Sequence, residues 1–274
     1  MITNNKSVGP SASRGTTGLK LGLVTYNLAR DWDTAEIINN CAQAGFEAVE
    51  LRTSHAHKVE IELSRAGRAE VRKQFEDSPV KLTSLGSTFE FHSTEQAELK
   101  RNIEGTREYS RLAKDVGADG IKVRPNGLAT DRGIPIEKTL EQIGRSLHEC
   151  GKSAGDCGVE IRLEVHGQET CRVPHICKIL EHADSDNVFA CWNSNPSDLE
   201  DGGLAANFRA LEDKIHLVHM RDLYVEDYPW RELFRHLVDS GYDGYCCAEI
   251  PESSDPVRVM KYYRALFLAL QDRL

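Results

Sequence analysis

The residues best suited to chemistry cluster at the ends of short apolar runs. Glu164-Val-His166 closes one run, His219-Met-Arg221 closes another, and Glu249 closes a third. Side chains alternate faces along a strand, so Glu164 shares a face with His166, and His219 with Arg221. Turned toward an apolar helix layer, such pairs would bury charge at a cost of several kcal/mol. Each pair is therefore expected to face a shared polar opening. Two carboxylates and an imidazole converging there make a divalent-metal site, and a mixed oxygen and nitrogen donor set suits Mn²⁺, Mg²⁺ or Zn²⁺. The plainer alternative is an internal ion pair, with Glu164 or Glu249 set against Lys122 or Arg124.

Other runs end in the same way. One closes on Glu50-Leu-Arg52 with His55 and His57 just beyond, and another on Glu90-Phe-His92. A third holds Lys122 and Arg124, and a fourth ends Asn193-Ser-Asn195. His92 and His166 sit at run ends, where a substrate contact is expected. His55 and His57 lie in a loop, where contact with a substrate hydroxyl and plain solvation both fit, and a site role is expected for one of them. His148, His175, His182 and His236 fall in helical stretches and read as packing or surface residues.

Eight β-rich runs position these groups: Lys20–Leu28, Ala48–Arg52, Lys81–Glu90, Gly120–Pro125, Glu160–Gly167, Val188–Asn195, Ile215–Asp222 and Tyr245–Pro251. Their starts lie 27 to 40 residues apart, room for one strand, one helix and two loops. Helical patterns fill the gaps. Ile136, Leu140, Ile143, Leu147 and Cys150 follow one helix face. A first helix opens after Asp33-Thr34 and stops at Gly45, and Ser93 with Gln96 predicts a capping box for a later one. Gly45, Gly117, Gly158 and Gly241 each precede a run, as left-handed helix ends require. Strict strand–helix alternation implies parallel strands and right-handed crossovers, and eight units close into a (β/α)8 TIM barrel. No GxGxxG follows the first run, which argues against a doubly wound sheet. A barrel over residues 19–274, after a Ser/Thr/Gly/Asn-rich disordered lead-in over 1–18, is the expected organisation.

The 274 residues hold 34 Lys plus Arg against 43 Asp plus Glu, a net charge of −9. That balance weighs against a nucleic-acid partner, which needs clustered cations. No apolar run reaches the length of a membrane span, and the first residues lack the apolar core of a secretion signal. Eight cysteines without a CxxC pair fit free thiols in a reducing compartment, so a cytoplasmic location is expected.

The chain resembles the xylose isomerase-like TIM-barrel family of sugar isomerases and epimerases, which also includes endonuclease IV. The resemblance runs from about Lys20 onward. It is carried by Gly45-Phe-Glu-Ala-Val-Glu50-Leu-Arg, Leu163-Glu164-Val-His166-Gly, Cys191-Trp192-Asn193, His216-Leu-Val-His219-Met-Arg-Asp222 and Ala248-Glu249-Ile-Pro. It implies one divalent metal held by Glu164, Asn193, His219 and Glu249, with Asn193 standing where the family usually has Asp. An amide oxygen can ligate a hard cation but brings no charge, so weaker binding or loss of the metal follows as an alternative.

The activity so implied is isomerisation or epimerisation of a sugar, keto-sugar or polyol by proton abstraction next to a carbonyl. Glu164 and Glu249 are expected to be the acid/base pair as well as ligands. His166, Arg221, Lys122, Glu50, His92 and His57 are expected around the substrate, and Lys122 or Arg124 would meet a phosphate if there is one. Elimination from a keto-sugar, a non-catalytic carbohydrate-binding barrel and, last, an endonuclease IV-type activity are the alternatives. The expected partner is a small-molecule carbohydrate, with homo-oligomerisation left open.

Overall fold

The computed structural model describes residues 18–274, so the expected lead-in over 1–18 lies, apart from Gly18, outside the described residues. Eight strands form a closed, wholly parallel barrel in sequence order. They are β1 (Lys20–Val24), β2 (Ala48–Arg52), β3 (Lys81–Glu90), β4 (Gly120–Arg124), β5 (Glu160–Glu164), β6 (Val188–Asn193), β7 (Ile215–Met220) and β8 (Tyr245–Ala248). The helices between and after them are α1 (Thr34–Ala44), α2 (Arg65–Glu76), α3 (Gln96–Val116), α4 (Ile136–Cys157), α5 (Val173–Ala183), α6 (Leu204–Leu211), α7 (Trp230–Asp239) and α8 (Pro256–Leu270). The (β/α)8 TIM barrel expected from the spacing is the observed architecture.

Local chemistry sets most boundaries. Asp33 caps α1 through the Glu36 amide, and Glu36 reaches back to the Asp33 amide, a full capping box. Gly45, Gly117 and Gly158 end α1, α3 and α4 in the left-handed conformation, and Gly241 takes it just beyond α7. The capping box expected at Ser93 does not form. Glu95 is the N-cap of α3 without a side-chain cap, while Ser93 Oγ accepts from the Glu95 amide and donates to Glu98. The expected strand runs were also too long at their carboxyl ends. β1 stops at Val24, where the chain enters a turn with Asn27 at φ 61°, and β5 stops at Glu164.

The main core lies between barrel and helices, with Val49, Leu51, Leu82, Ile121, Ile161 and Val218 packed against helical residues such as Ile37, Leu112, Ile143 and Phe234. A separate small cluster of Val24, Cys191, Leu217 and Cys247 adjoins His219 and Glu50. All eight cysteines are free thiols. Among the described residues no helix is long and apolar enough to cross a membrane.

Candidate active site

The carboxyl ends of the strands carry the polar groups, as a barrel of this kind requires. Register sets Asn193 beside His219 across β6 and β7, and His219 beside Cys247 on β8. Glu164 ends β5 and Glu249 follows β8 by one residue. Glu164, His219 and Glu249 each offer a ligand atom within 4.8 Å of the other two. His219 Nδ1 lies 3.3 Å from Glu164 Oε1 and 3.8 Å from Glu249 Oε2. The Asn193 amide Nδ2 donates to Glu164 Oε1 at 3.3 Å, and a half-turn of that amide exchanges Nδ2 for Oδ1.

Two further charges complete the cluster. Lys122 Nζ donates to Glu164 Oε2 at 2.8 Å, both side chains being almost wholly buried. Glu50 is fully buried, and its Oε1 stands 3.4 Å from His219 Nε2. Neither Glu50 oxygen, nor His219 Nε2, has a hydrogen-bond partner among the described residues. A Cβ on Gly86 would lie 2.6 Å from Glu50 Oε1, so β3 must carry glycine there to admit the carboxylate.

Burial alone would raise Glu164, yet Lys122 and His219 outweigh it and hold the carboxyl below the usual range. Glu249 moves the other way, pushed up by burial and by the neighbouring carboxylates Glu164 and Glu50, against His219 and Lys122. Burial would also raise Glu50, but His219 and Lys122 keep it low. For His219 burial favours the neutral ring, and Cys191 with the carboxylates Glu50 and Glu164 reverses this, holding a proton on it. With His219 neutral, Glu50, Glu164 and Glu249 against Lys122 leave two net negative charges. A divalent cation is the counter-charge that fits this donor set, and it would displace the extra proton. Glu164, His219 and Glu249 would hold it directly, with the amide oxygen of Asn193 as a fourth donor, while Glu50 would fix the imidazole from behind.

The sequence profile of the xylose isomerase-like TIM barrel matches residues 38–268. The chain belongs to this family. Among solved structures, 3-keto-D-glucoside 4-epimerase from E. coli superposes with a TM-score of 0.76 at 17% identity, covering 92% of this chain and 99% of that one. D-psicose 3-epimerase from Clostridium cellulolyticum H10, solved with D-tagatose, gives 0.75 at 17% identity over 93% and 97%. The IolI protein, solved with a bound zinc atom, gives 0.73 at 16% identity over 92% and 96%. No curated protein matches this xylose isomerase-like chain in sequence.

A cavity of about 360 Å³ opens above the cluster, and Glu164, His166, Asn193, Arg221 and Glu249 line it. His166 lies two residues past the end of β5, with its Nδ1 2.8 Å from Asn126 Oδ1. Arg221 donates from Nε to the Ser194 carbonyl and from Nη1 to Asp227. The remaining expected substrate contacts sit elsewhere. Glu50 and Lys122 lie buried, and neither is among the residues lining the cavity. His92 stands beside Glu90, its Nδ1 3.8 Å from Oε2, outside the cavity lining. His57 is buried with both ring nitrogens taken: Nε2 donates to the Arg52 carbonyl, and Nδ1 accepts from the Val59 amide. It braces the β2–α2 loop.

Five lining residues have no role assigned from the sequence: the polar Tyr26, Asn27 and Asp222, and the apolar Ile250 and Pro251. Tyr26 and Asn27 were absorbed into an over-long first strand, and the one available signal was Asn27, a residue type that tolerates the left-handed turn it occupies.

Proposed function

We propose that this xylose isomerase-like barrel is a metal-dependent isomerase or epimerase of a keto-sugar, acting by proton transfer at the carbon next to the carbonyl. The observation that carries the proposal is the convergence of Glu164, His219 and Glu249 within 4.8 Å beneath an open cavity. A divalent ion held by Glu164, His219 and Glu249 would supply positive charge to the oxygen that becomes negative when that carbon loses its proton. Glu249 has the higher proton affinity of the two cavity carboxylates and takes the proton. Glu164, kept ionised by Lys122, faces the same space from β5 and completes the acid/base pair. His166 and Arg221 hold hydroxyls at the wall.

The charges support an unphosphorylated substrate. Lys122 is ion-paired to Glu164 and Arg124 to Glu90, so the expected phosphate contacts are already engaged, and Arg221 on the cavity wall is paired with Asp227. An endonuclease of the three-metal type finds little support, since the described residues hold one candidate metal cluster and the net charge is −9. The free thiols favour a reducing, cytoplasmic setting.

The test follows solvent deuterium into free ketoses and 3-keto glycosides with Mn²⁺-loaded protein. The native chain is expected to exchange the hydrogen next to the carbonyl, and Glu249→Gln to lower that rate by about 10²-fold or more. Undiminished exchange in Glu249→Gln sinks the acid/base assignment.

A further inference from the structure

His166 carries an internal brace that the proposed reaction has not used. Its Nδ1 lies 2.8 Å from Asn126 Oδ1, and Asn126 Nδ2 donates to Glu90 Oε1 at 2.7 Å. Glu90 is in turn ion-paired with the Arg124 guanidinium. A carboxylate in such a pair can only accept, so the amide must turn its NH₂ toward Glu90 and its oxygen toward His166. An amide oxygen accepts and never donates, so the proton between the two residues belongs to His166 Nδ1. The neutral ring then has its lone pair on Nε2. No group among the described residues bonds Nε2, and His166 lines the cavity.

The backbone is built to hold this order. Asn126 sits at φ 63°, a left-handed conformation that asparagine tolerates better than most residues. Gly167, at φ 94°, packs directly on it, and a Cβ there would lie 2.6 Å from both Asn126 Cα and its carbonyl oxygen. Thr170 Oγ1 donates to the His166 carbonyl at 2.9 Å and ties down the other side. Glycine at 167 thus leaves room for the Asn126 backbone, and the amide meets the imidazole through its hydrogen bond alone.

We propose that Asn126 and Glu90 are positioning residues that hold His166 as the Nδ1–H tautomer, making its Nε2 a hydrogen-bond acceptor for a substrate hydroxyl. The hydroxyl partner rests on the keto-sugar reading of the cavity, whereas the tautomer does not. A free histidine side chain prefers the Nε2–H form, so the brace reverses the intrinsic preference.

The experiment is long-range ¹H–¹⁵N correlation of histidine rings in the full chain loaded with Zn²⁺, at pH 8, with His166 assigned by its loss in His166→Gln. The native ring is expected to show a protonated Nδ1 and an unprotonated Nε2. Asn126→Gly, which keeps the positive φ without strain, is expected to turn the ring to the Nε2–H form and raise KM about tenfold, with kcat and zinc affinity nearly unchanged. Glu90→Gln is a second variant that leaves the Asn126 backbone intact, and a partial shift in the same direction is expected. A native ring protonated on Nε2, or an Asn126→Gly ring identical to the native one, overturns the brace. A native ring of the expected form in a protein that exchanges no keto-sugar proton supports the brace and overturns the functional reading instead.

Discussion

Glu50 shows how a residue can matter to a site it does not line. Its carboxylate is fully buried and faces His219 Nε2, so in the proposed metal site it would accept that N–H and turn Nδ1 toward the ion. Glu50→Gln keeps the shape but removes the charge, and metal affinity is expected to fall about 10- to 100-fold, read by chelator competition. Asn193→Asp should act in the opposite direction. Replacing the amide by a carboxylate beside Glu164 and His219 adds the charge that hard cations favour, and a tightening of about tenfold is expected in the same assay. An unchanged affinity in Asn193→Asp would mean that position 193 does not touch the ion.

Elements decide how much room and how much water these residues have. On β3, a methyl on Gly86 would meet the Glu50 carboxylate at 2.6 Å. Gly86→Ala is therefore expected to cost about 1–3 kcal/mol of stability and to weaken metal binding along with it, read by denaturant melts and chelator competition. The turn after β6 carries a titration of its own. Burial pushes the Asp198 carboxyl up to about 7, although Oδ2 accepts from Tyr228 and from the Asn195 amide, and Oδ1 has no partner among the described residues. The folded chain thus prefers the neutral acid. That preference stabilises fully below the unfolded value of 3.8 and is lost as pH rises through about 7. Between pH 5 and pH 9 the native Tm is expected to drop by roughly 5 °C relative to Asp198→Asn, which mimics the neutral acid at every pH. Parallel melting curves for the two proteins would remove Asp198 as the cause.

For the molecule as a whole, the cluster gathers three carboxylates, Glu50, Glu164 and Glu249, around His219 and the single cation of Lys122. An ion that binds the folded chain and not the unfolded one stabilises by mass action, by about 2.7 kcal/mol at a hundredfold excess over Kd. Mn²⁺ or Zn²⁺ is accordingly expected to raise Tm by roughly 5–10 °C over chelator-treated protein, and Glu164→Gln to abolish most of that rise. A Tm indifferent to metal would favour a barrel that binds carbohydrate without turnover.

Repetition makes the barrel legible in the sequence. Eight apolar runs, glycines at the helix ends and the Asp33 cap are local signals, and each arises within a few residues of chain. The pairing of Glu164, His219 and Glu249 was legible too, because strand-end position in a closed barrel implies convergence. What sequence could not supply was depth. Glu50 and His166 both lie near strand ends, yet one is sealed behind His219 and the other lines the cavity, since register shifts and strand lengths set how far each side chain stands above the core. His57 went to the backbone of its own loop for the same reason, whereas the Lys122–Glu164 ion pair was among the alternatives that the sequence offered. Residue type and spacing determined the architecture and the inventory of donors. Only the folded barrel decided which donor faces which, because those contacts join residues far apart in the chain whose distances depend on tilt, bulge and the absence of a single methyl group at Gly86.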